Sequence, residues 1–221
     1  MGYNWQFGVL TEYWIVFVHG AVVTAQLTAL AFALALVLGL ALALGRMSES
    51  VLIRAPVAVY VEFFRSTPAL VQLVWIYYAM PILTGIKFNS LVSVAIGLGL
   101  HTAAYYCEVF RAGIMAVERG QVDAAKAVGM RRAQLMRRVV LPQAVRQMIP
   151  PFINETASLI KLTTLGSVLA VSELLHASNN LITTTYRPLE IYTALALIFA
   201  AIIYPIVYLS RRLERYWAAR S

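Results

Sequence analysis

The sequence predicts an all-α integral membrane protein with five transmembrane helices, and three observations support that fold class. First, 61% of the 221 residues are hydrophobic and only 13% are charged, which is about half the charged share of an ordinary soluble domain. Second, apolar segments long enough to cross a bilayer recur along the chain. Third, most Lys and Arg residues gather in alternate connections between those segments.

The membrane spans are predicted from the apolar segments, because a helix needs about 20 mostly apolar residues to cross the hydrocarbon core. The predicted spans cover about residues 16–44, 56–80, 90–109, 148–171 and 191–209. The whole chain, 1–221, is therefore expected to form a single transmembrane domain. The first 13 residues contain no Lys or Arg, so the first span is expected to remain as an anchor rather than to be cleaved as a signal peptide.

The orientation is predicted from the distribution of Lys and Arg among the connections. On one side, the loop after the first span holds two, the loop 111–146 holds eight, and the C-terminal tail, which includes Arg220, holds four. On the other side only Lys87 and Arg187 occur. The N-terminus is expected outside and the C-terminus in the cytoplasm. Because the charge alternates with the spans instead of covering one soluble face, no nucleic-acid partner is expected.

The long loop contains the segment DAAKAVGMRRAQLMRRVVLP, residues 123–142. Asp123 is expected to cap a short helix that begins at Ala124 and ends in a left-handed turn at Gly129. Residues 131–140 are predicted to form a second helix, closed by Pro142. Two interpretations follow: either the arginines bind lipid phosphates at the membrane surface, or the small residues form a surface for another protein.

The spacing within this loop resembles the EAA loop of bacterial ABC importer permeases. That motif is Glu-Ala-Ala, three residues, Gly, nine residues, Ile, one residue, Leu-Pro; here Asp123 replaces Glu and Val139 replaces Ile. Both replacements keep the chemical character. The flanking segments resemble the polar amino-acid permeases, of the histidine, glutamine and glutamate type, at residues 61–81, 101–114, 118–129, 139–155 and 185–192. The resemblance extends from about Gly20 to Arg215.

The resemblance implies the five-span permease subunit of a type I ABC importer in the bacterial inner membrane. Its expected partners are two cytosolic ATP-binding subunits, a second permease that is identical or homologous, a periplasmic or lipid-anchored substrate-binding protein, and membrane lipids. The chain has no GxxxxGK[ST] motif, so it is expected to be a transport subunit rather than an enzyme. ATP and Mg are expected to bind the partner ATPase; no cofactor or metal is expected in this chain. The resemblance assigns the ATPase contact to Asp123, Ala124, Ala125 and Gly129, with Arg131 and Arg132 beside them.

A substrate pathway is predicted where polar residues interrupt the spans. Pro68 removes a helix hydrogen bond in the second span, and broken helices at membrane depth commonly mark a site for a polar solute. With the positions that the resemblance adds, the candidates are Ser66, Thr67, Gln72, His101, Thr102, Ala103, Ala104, Tyr105, Lys161, Leu162, Thr163 and Thr164. Asn154 and Glu155 are expected to cap the fourth span and to hydrogen-bond between spans rather than to contact substrate.

Two departures from the family pattern bear on specificity. His101 stands where Asn is usual, and Leu162 stands where Asp is common. Because Leu162 cannot receive a cationic side chain, a neutral or acidic amino acid is favoured. His101 is interpreted as a helix-packing group in preference to a pH-sensitive contact.

Three alternatives remain open at the level of sequence. The partner permease alone could hold the substrate site. The chain could be an ion-coupled secondary transporter, although an odd number of spans and the lack of a visible repeat argue against that class. It could also be a membrane scaffold subunit without its own substrate site.

Overall fold

The computed structural model describes residues 3–218, and every regular element in that range is helical. The predicted tail residue Arg220 lies outside the described residues. The α-helices are α1 (Gly8–Glu12), α2 (Trp14–Arg46), α3 (Val51–Ser66), α4 (Ala69–Thr84), α5 (Ser90–Met115), α6 (Arg119–Ala127), α7 (Arg132–Leu135), α8 (Leu141–Leu162), α9 (Leu174–Thr185) and α10 (Pro188–Ala218). A π turn, Met136–Val140, joins α7 to α8, and a 3₁₀ helix, Thr163–Leu169, follows α8.

By length and composition, α2, α5 and α10 can each cross a membrane as single helices. Two further crossings arise if each of two bent pairs counts as one span. These pairs are α3 with α4, bent by 109°, and the helical segment Arg132–Leu169 with α9, bent by 49°. The described residues therefore provide between three and five spans, in agreement with the predicted all-α membrane class.

The break between α3 and α4 follows from the local sequence. Pro68 disfavours a helical conformation at the residue before it, and Thr67 is accordingly extended, with φ −109° and ψ 145°. Pro68 is extended as well and precedes the first residue of α4. The predicted span 56–80 thus consists of two helices that meet at a sharp angle.

Helices α2 and α5 form the centre of the bundle and approach each other closely. A strip of mostly small residues along α2 is buried at intervals of three or four positions: Gly20, Thr24, Leu27, Ala31, Ala35, Gly39 and Ala43. A Cβ atom placed on Gly39 would lie 2.7 Å from Cβ of Tyr106 on α5. Glycine is therefore needed at position 39 for this approach, as is typical of helix pairs in membranes.

Helix α5 also contacts α3, α4 and α8, whereas α9 packs against α2 and α10 packs against α8 and α9. Four leucines from four different helices meet in one buried cluster: Leu27, Leu73, Leu98 and Leu159. Toward the other end of α5, Tyr106 is fully buried and its hydroxyl pairs with Thr156 on α8 at 2.8 Å. Its ring centroid lies 4.3 Å from that of Phe152.

The connection between α5 and α8 is helical, but its boundaries differ from the predicted ones. Helix α6 begins at Arg119 with Glu118 at its N-cap, so Asp123 lies inside the helix and does not cap it. The second helix is interrupted, because α7 contains only four residues and the π turn follows it. Pro142 lies in the first turn of α8 and does not close the preceding segment. A proline is tolerated there because the first N–H groups of a helix need no intrahelical partner.

Candidate functional site

Gln72 on α4 closes the break between α3 and α4 with its own side chain. Its Nε2 donates to the carbonyl oxygens of Phe64 (3.0 Å) and Thr67 (3.1 Å) and to the Thr67 hydroxyl (2.6 Å). Its Oε1 lies 3.0 Å from Nδ1 of His101 on α5. Because backbone carbonyls freed at membrane depth need donors, this amide stabilises the interruption that Pro68 creates. The predicted pathway residues Thr67 and Gln72 thus hydrogen-bond within the chain.

The hydrogen bond to Gln72 also determines the tautomer of His101. The amide oxygen can only accept, so Nδ1 of the ring carries the proton and Nε2 of the neutral ring is left as an acceptor. His101 is 7% exposed, and that small exposed area faces a cleft. The packing role predicted for His101 is therefore present, and the ring still has one acceptor atom for a polar solute.

A cleft of about 530 Å³ lies between α5 and α8. Its walls are formed by His101, Thr102 and Tyr105 from α5 and by Glu155, Ser158, Leu159, Lys161 and Leu162 from α8. A second cleft, of about 350 Å³, shares Tyr105 and Glu155 with the first and extends to Arg65 and Glu108. Because two lining residues are shared, the two clefts form one groove along α5 and α8. Its volume is in the range of small-molecule sites.

The groove combines opposite charges at membrane depth. Glu155 is half-buried and lines both clefts, whose other charged residues include Lys161 in the larger cleft and Arg65 in the smaller one. The guanidinium carbon of Arg65 lies 5.6 Å from the ring centroid of Tyr105, a cation–π contact. Ionisable side chains inside membrane spans are costly, so they usually face a partner or a polar cavity. Here the carboxyl group of Glu155 lines one cleft together with Lys161 and the other together with Arg65.

Several predicted pathway residues lie away from this groove. Ala103 and Ala104 are fully buried between helices. Thr163 and Thr164 donate their hydroxyl hydrogens to the carbonyls of Ile160 and Lys161 within their own helical segment. Ser66 is exposed at the end of α3 and lines neither cleft. Of the predicted set, His101, Thr102, Tyr105, Lys161 and Leu162 line the larger cleft.

The sequence interpretation missed Glu155 and Ser158 as groove residues. Glu155 was expected to cap the fourth span, but α8 begins fourteen residues earlier, at Leu141, and continues through Pro150 and Pro151. Glu155 is therefore in the middle of a helix. The signal that could have identified it is the spacing of Pro151, Glu155, Ser158 and Leu162, which repeats at three or four residues and defines one helix face.

The predicted ATPase-coupling residues form an exposed tip at the end of α6. Gly129 has φ +78°, which confirms the predicted left-handed turn. The N–H of Met130 donates to the carbonyl of Ala125 (3.1 Å), and that of Gly129 donates to Lys126 (2.9 Å). These two bonds form a Schellman motif, which ends helices at a left-handed glycine. The side chain of Val128 at this tip is 74% exposed.

The two adjacent alanines of the motif face opposite directions. Ala124 is exposed, whereas Ala125 is 6% exposed and packs with Val117, Leu135 and Ala144. Of the two predicted ATPase-contact alanines, only Ala124 is therefore exposed. Ala125 instead packs α6 against the ends of α5 and α8. A hydrogen bond of 2.5 Å from Gln143 of α8 to Gln121 strengthens the same attachment.

The charged residues of this tip are on its outer surface. Asp123 and Lys126 form an exposed ion pair at 3.4 Å, which contributes little to stability in solvent. Arg131 and Arg132 are exposed at the start of α7, and the backbone N–H of Arg131 donates to Oε1 of Gln134 at 3.0 Å. Asp123, Ala124, Gly129, Arg131 and Arg132 are all accessible to a partner.

Comparison with known proteins agrees with this architecture. Residues 35–219 match the family model of binding-protein-dependent transport system inner membrane components. The chain belongs to this family. Its members are transport components of the inner membrane rather than enzymes, and the resemblance inferred from the EAA-like loop is confirmed at the family level.

Relatives and a solved structure extend the match over nearly the whole chain. The octopine transport system permease protein OccM of Rhizobium meliloti is 36% identical over 198 residues, 86% of this chain and 81% of that protein. A putative glutamine transport system permease protein, GlnP of Rickettsia felis, is 33% identical and covers 77% of this chain and 78% of its own length. The crystal structure of an amino acid ABC transporter with histidines matches with a TM-score of 0.90 and 32% identity, over 97% of this chain and all of that chain. The five-span type I importer fold predicted from the resemblance agrees with this match.

Proposed function

We propose that this chain is the permease subunit of an ATP-driven importer for a polar amino acid, with the α5–α8 groove as its substrate pathway. The observation that carries this proposal is Glu155, placed in a cleft between Lys161 and Arg65. The names of relatives and of the matched structure support the amino-acid class.

The groove matches the charges of a free amino acid. Glu155 is the partner for the α-ammonium group, and Lys161 or Arg65 is the partner for the α-carboxylate, through charge-assisted hydrogen bonds. Thr102 and Ser158 provide hydroxyl groups along the same walls. With Glu155 engaged by the α-ammonium group, the rest of the larger cleft offers Leu159 and Leu162 and no second carboxylate. The Glu108 carboxylate of the smaller cleft is already held by Arg111. A neutral or acidic side chain is therefore favoured over a cationic one.

The partners follow from the surfaces of the chain. The exposed tip of α6 is the site for a cytosolic ATPase, and a complete importer holds two such ATPases. A second permease, identical or homologous, covers the charged groove, since ionisable side chains facing lipid are costly. A periplasmic or lipid-anchored binding protein delivers the solute. Residues 1–221 form one transmembrane domain with the N-terminus outside and the C-terminus in the cytoplasm.

The test is amino-acid uptake by the assembled transporter in proteoliposomes, with its binding protein supplied on the outer side. Glu155→Gln is expected to raise the substrate concentration for half-maximal uptake at least about tenfold, because a charged hydrogen bond is lost. Glu62→Gln is the matched control: Glu62 is exposed on α3 and lines neither cleft. Its uptake is expected to equal that of the wild type.

The outcomes separate the competing functions. Unchanged uptake by Glu155→Gln, with the ATPase still bound, would place the substrate site in the partner permease. Uptake that continues without ATP but responds to an ion gradient would indicate a secondary transporter. Absence of any co-purifying ATPase and of any uptake would support a scaffold.

A further inference from the structure

A cavity separate from the groove lies where α2 ends, α3 begins and α5 approaches α6. Its volume is about 490 Å³, and it is lined by Arg46, Met47, Ser48, Arg54, Arg111 and Met115. It adjoins Met115, the last residue of α5, which shortly precedes the start of α6 at Arg119. No role in the amino-acid pathway or in the ATPase contact explains three arginines around one cavity.

The charges around this cavity are unbalanced. Glu108 is the acidic group beside it, and Arg111 holds that carboxylate with two hydrogen bonds of 3.0 Å and 2.6 Å. Arg46 adds a weaker ion pair to Glu108 at 3.9 Å. The guanidinium group of Arg54 forms no hydrogen bond or ion pair with any residue between 3 and 218 that the structure describes. The lining of the cavity itself contains three guanidinium groups and no carboxylate, so the lining is positively charged.

One donor beside the cavity, Nε of Arg46, lies 3.9 Å from the Glu108 carboxylate, too far for a hydrogen bond. The Nε–H of Arg46 is buried and makes no hydrogen bond within the described part of the chain. A buried charged donor without an acceptor is unfavourable, so an acceptor oxygen entering the cavity is stabilised. Ser48 accepts the N–H of Ser50 at 3.2 Å with its hydroxyl oxygen, and its own hydrogen can still be donated.

The surface beside the cavity is apolar. At the end of α2 and the start of α3, four aliphatic side chains are half to nine-tenths exposed: Leu44, Val51, Leu52 and Ile53. A free phosphate ion makes no apolar contacts with such a surface, whereas the acyl chains of a lipid can pack against it. The cationic cavity and its apolar flank thus match the two parts of one amphipathic molecule.

We propose that this cavity binds the phosphate headgroup of an anionic phospholipid, whose acyl chains lie along the exposed aliphatic side chains of α2 and α3. Arginine is suited to this role because its planar group donates two parallel hydrogen bonds to phosphate oxygens. Basic pockets between membrane helices on the cytoplasmic side bind such headgroups. Arg46 and Arg54 hold the phosphate, Arg111 adds its positive charge while it stays bonded to Glu108, and the Nε–H of Arg46 gains a hydrogen-bond acceptor.

The experiment is native mass spectrometry of the full-length chain with its co-purifying subunits in neutral detergent. Phosphatidylglycerol is added, with phosphatidylcholine and inorganic phosphate as separate arms. The test variant is Arg54→Gln, because Arg54 is exposed and its loss breaks no internal bond. The matched control is Arg212→Gln, which removes an exposed arginine near the end of α10. Arg54→Lys retains the charge without the planar group.

The expected result is saturable binding of phosphatidylglycerol by the wild type, weakened about tenfold by Arg54→Gln, since one charge-assisted hydrogen-bonding group is lost. The affinity of Arg212→Gln for phosphatidylglycerol is expected to be within twofold of the wild-type affinity. The affinity of Arg54→Lys is expected to lie between those of the wild type and Arg54→Gln. Equal losses in Arg54→Gln and Arg212→Gln would overturn the proposal, because binding would then reflect general surface charge. Equal binding of phosphatidylcholine would overturn it as well. Inorganic phosphate binding as tightly as phosphatidylglycerol would overturn the lipid assignment.

Thermal unfolding of each variant separates lost binding from lost folding. Arg54→Gln is expected to unfold at the wild-type temperature without lipid. It is also expected to gain less stability than the wild type when phosphatidylglycerol is added. If Arg54→Gln gained as much stability from the lipid as the wild type and Arg212→Gln do, the site would be contradicted.

Discussion

Oε1 of Gln72 lies 3.0 Å from Nδ1 of His101, and the same amide donates through Nε2 to the two carbonyls at the break between α3 and α4. One buried side chain therefore links an interrupted helix to the central helix and orients the histidine that lines the groove. This arrangement makes the geometry of the break dependent on a single amide.

Replacing Gln72 with Leu is expected to destabilise the protein. The carbonyls of Phe64 and Thr67 and the Nδ1–H of His101 would lose their partner, and each unsatisfied buried group costs about 1–3 kcal/mol. Thermal unfolding in detergent is expected several degrees below that of the wild type. Gln147→Leu is the control, because Gln147 is an exposed glutamine on α8. Equal unfolding temperatures for the two variants would contradict the structural role of Gln72.

Replacing Gly129 with Asn or Asp is expected to abolish ATPase binding while the chain still inserts into the membrane. Asn and Asp tolerate the left-handed conformation, and, apart from its chain neighbours, no atom of the described residues lies within 4 Å of a Cβ built at Gly129. The turn is therefore retained, but a side chain now projects from the exposed tip. Co-purification of the ATPase measures the effect.

Gly120→Asn is the matched control for that experiment. Gly120 lies in the first turn of α6, and a Cβ built there also meets nothing within 4 Å. ATPase binding is expected to persist in this variant. Full ATPase binding by Gly129→Asp would show that the tip of α6 is not the coupling surface.

The adjacent alanines Ala124 and Ala125 are expected to respond differently to the same enlargement. Ala125→Leu overfills the cluster beneath α6 and is expected to cost about 1–3 kcal/mol of stability, seen as a lower unfolding temperature. The side chain at position 124 is exposed, so Ala124→Leu is expected to leave stability unchanged while it weakens ATPase binding. If Ala125→Leu left stability unchanged, the inward orientation of Ala125 would be wrong.

Cysteine labelling tests the predicted orientation with little background, because Cys107 is fully buried. Tyr186, between α9 and α10, is 82% exposed. Tyr186→Cys is therefore expected to react with a membrane-impermeant maleimide in spheroplasts, in which the inner membrane is intact. Glu49, exposed in the loop after α2, lies on the opposite predicted side. Glu49→Cys is expected to react only after permeabilisation. The reverse pattern would invert the topology.

Features that depend on neighbouring residues could be predicted from the sequence. The helix interruption at Pro68 follows from the proline ring, which disfavours a helical conformation at the preceding residue. The left-handed turn at Gly129 follows because glycine has no Cβ atom. The apolar segments that become α2, α5 and α10 were also predicted, because hydrocarbon thickness sets their length.

Features that depend on packing contacts between separate helices could not be predicted in the same way. Lipid tails are as apolar as a packed interior, so the lipid-facing and core-facing sides of a membrane helix carry little contrast in hydrophobicity. For that reason the sequence did not distinguish the exposed Ala124 from the buried Ala125. It also did not place Glu155 on the α8 face that lines the groove.

The sequence by itself determined the membrane class, the approximate spans, the family and the chemical character of the exposed tip of α6. Only the tertiary structure decided that Gln72 stabilises the break beside it and that Glu155 shares a cleft with Lys161. It alone also brought Arg46, Arg54 and Arg111 around one cavity. The physical reason is that hydrophobic length and turn chemistry are local properties, whereas the pairing of charges depends on how separate helices pack.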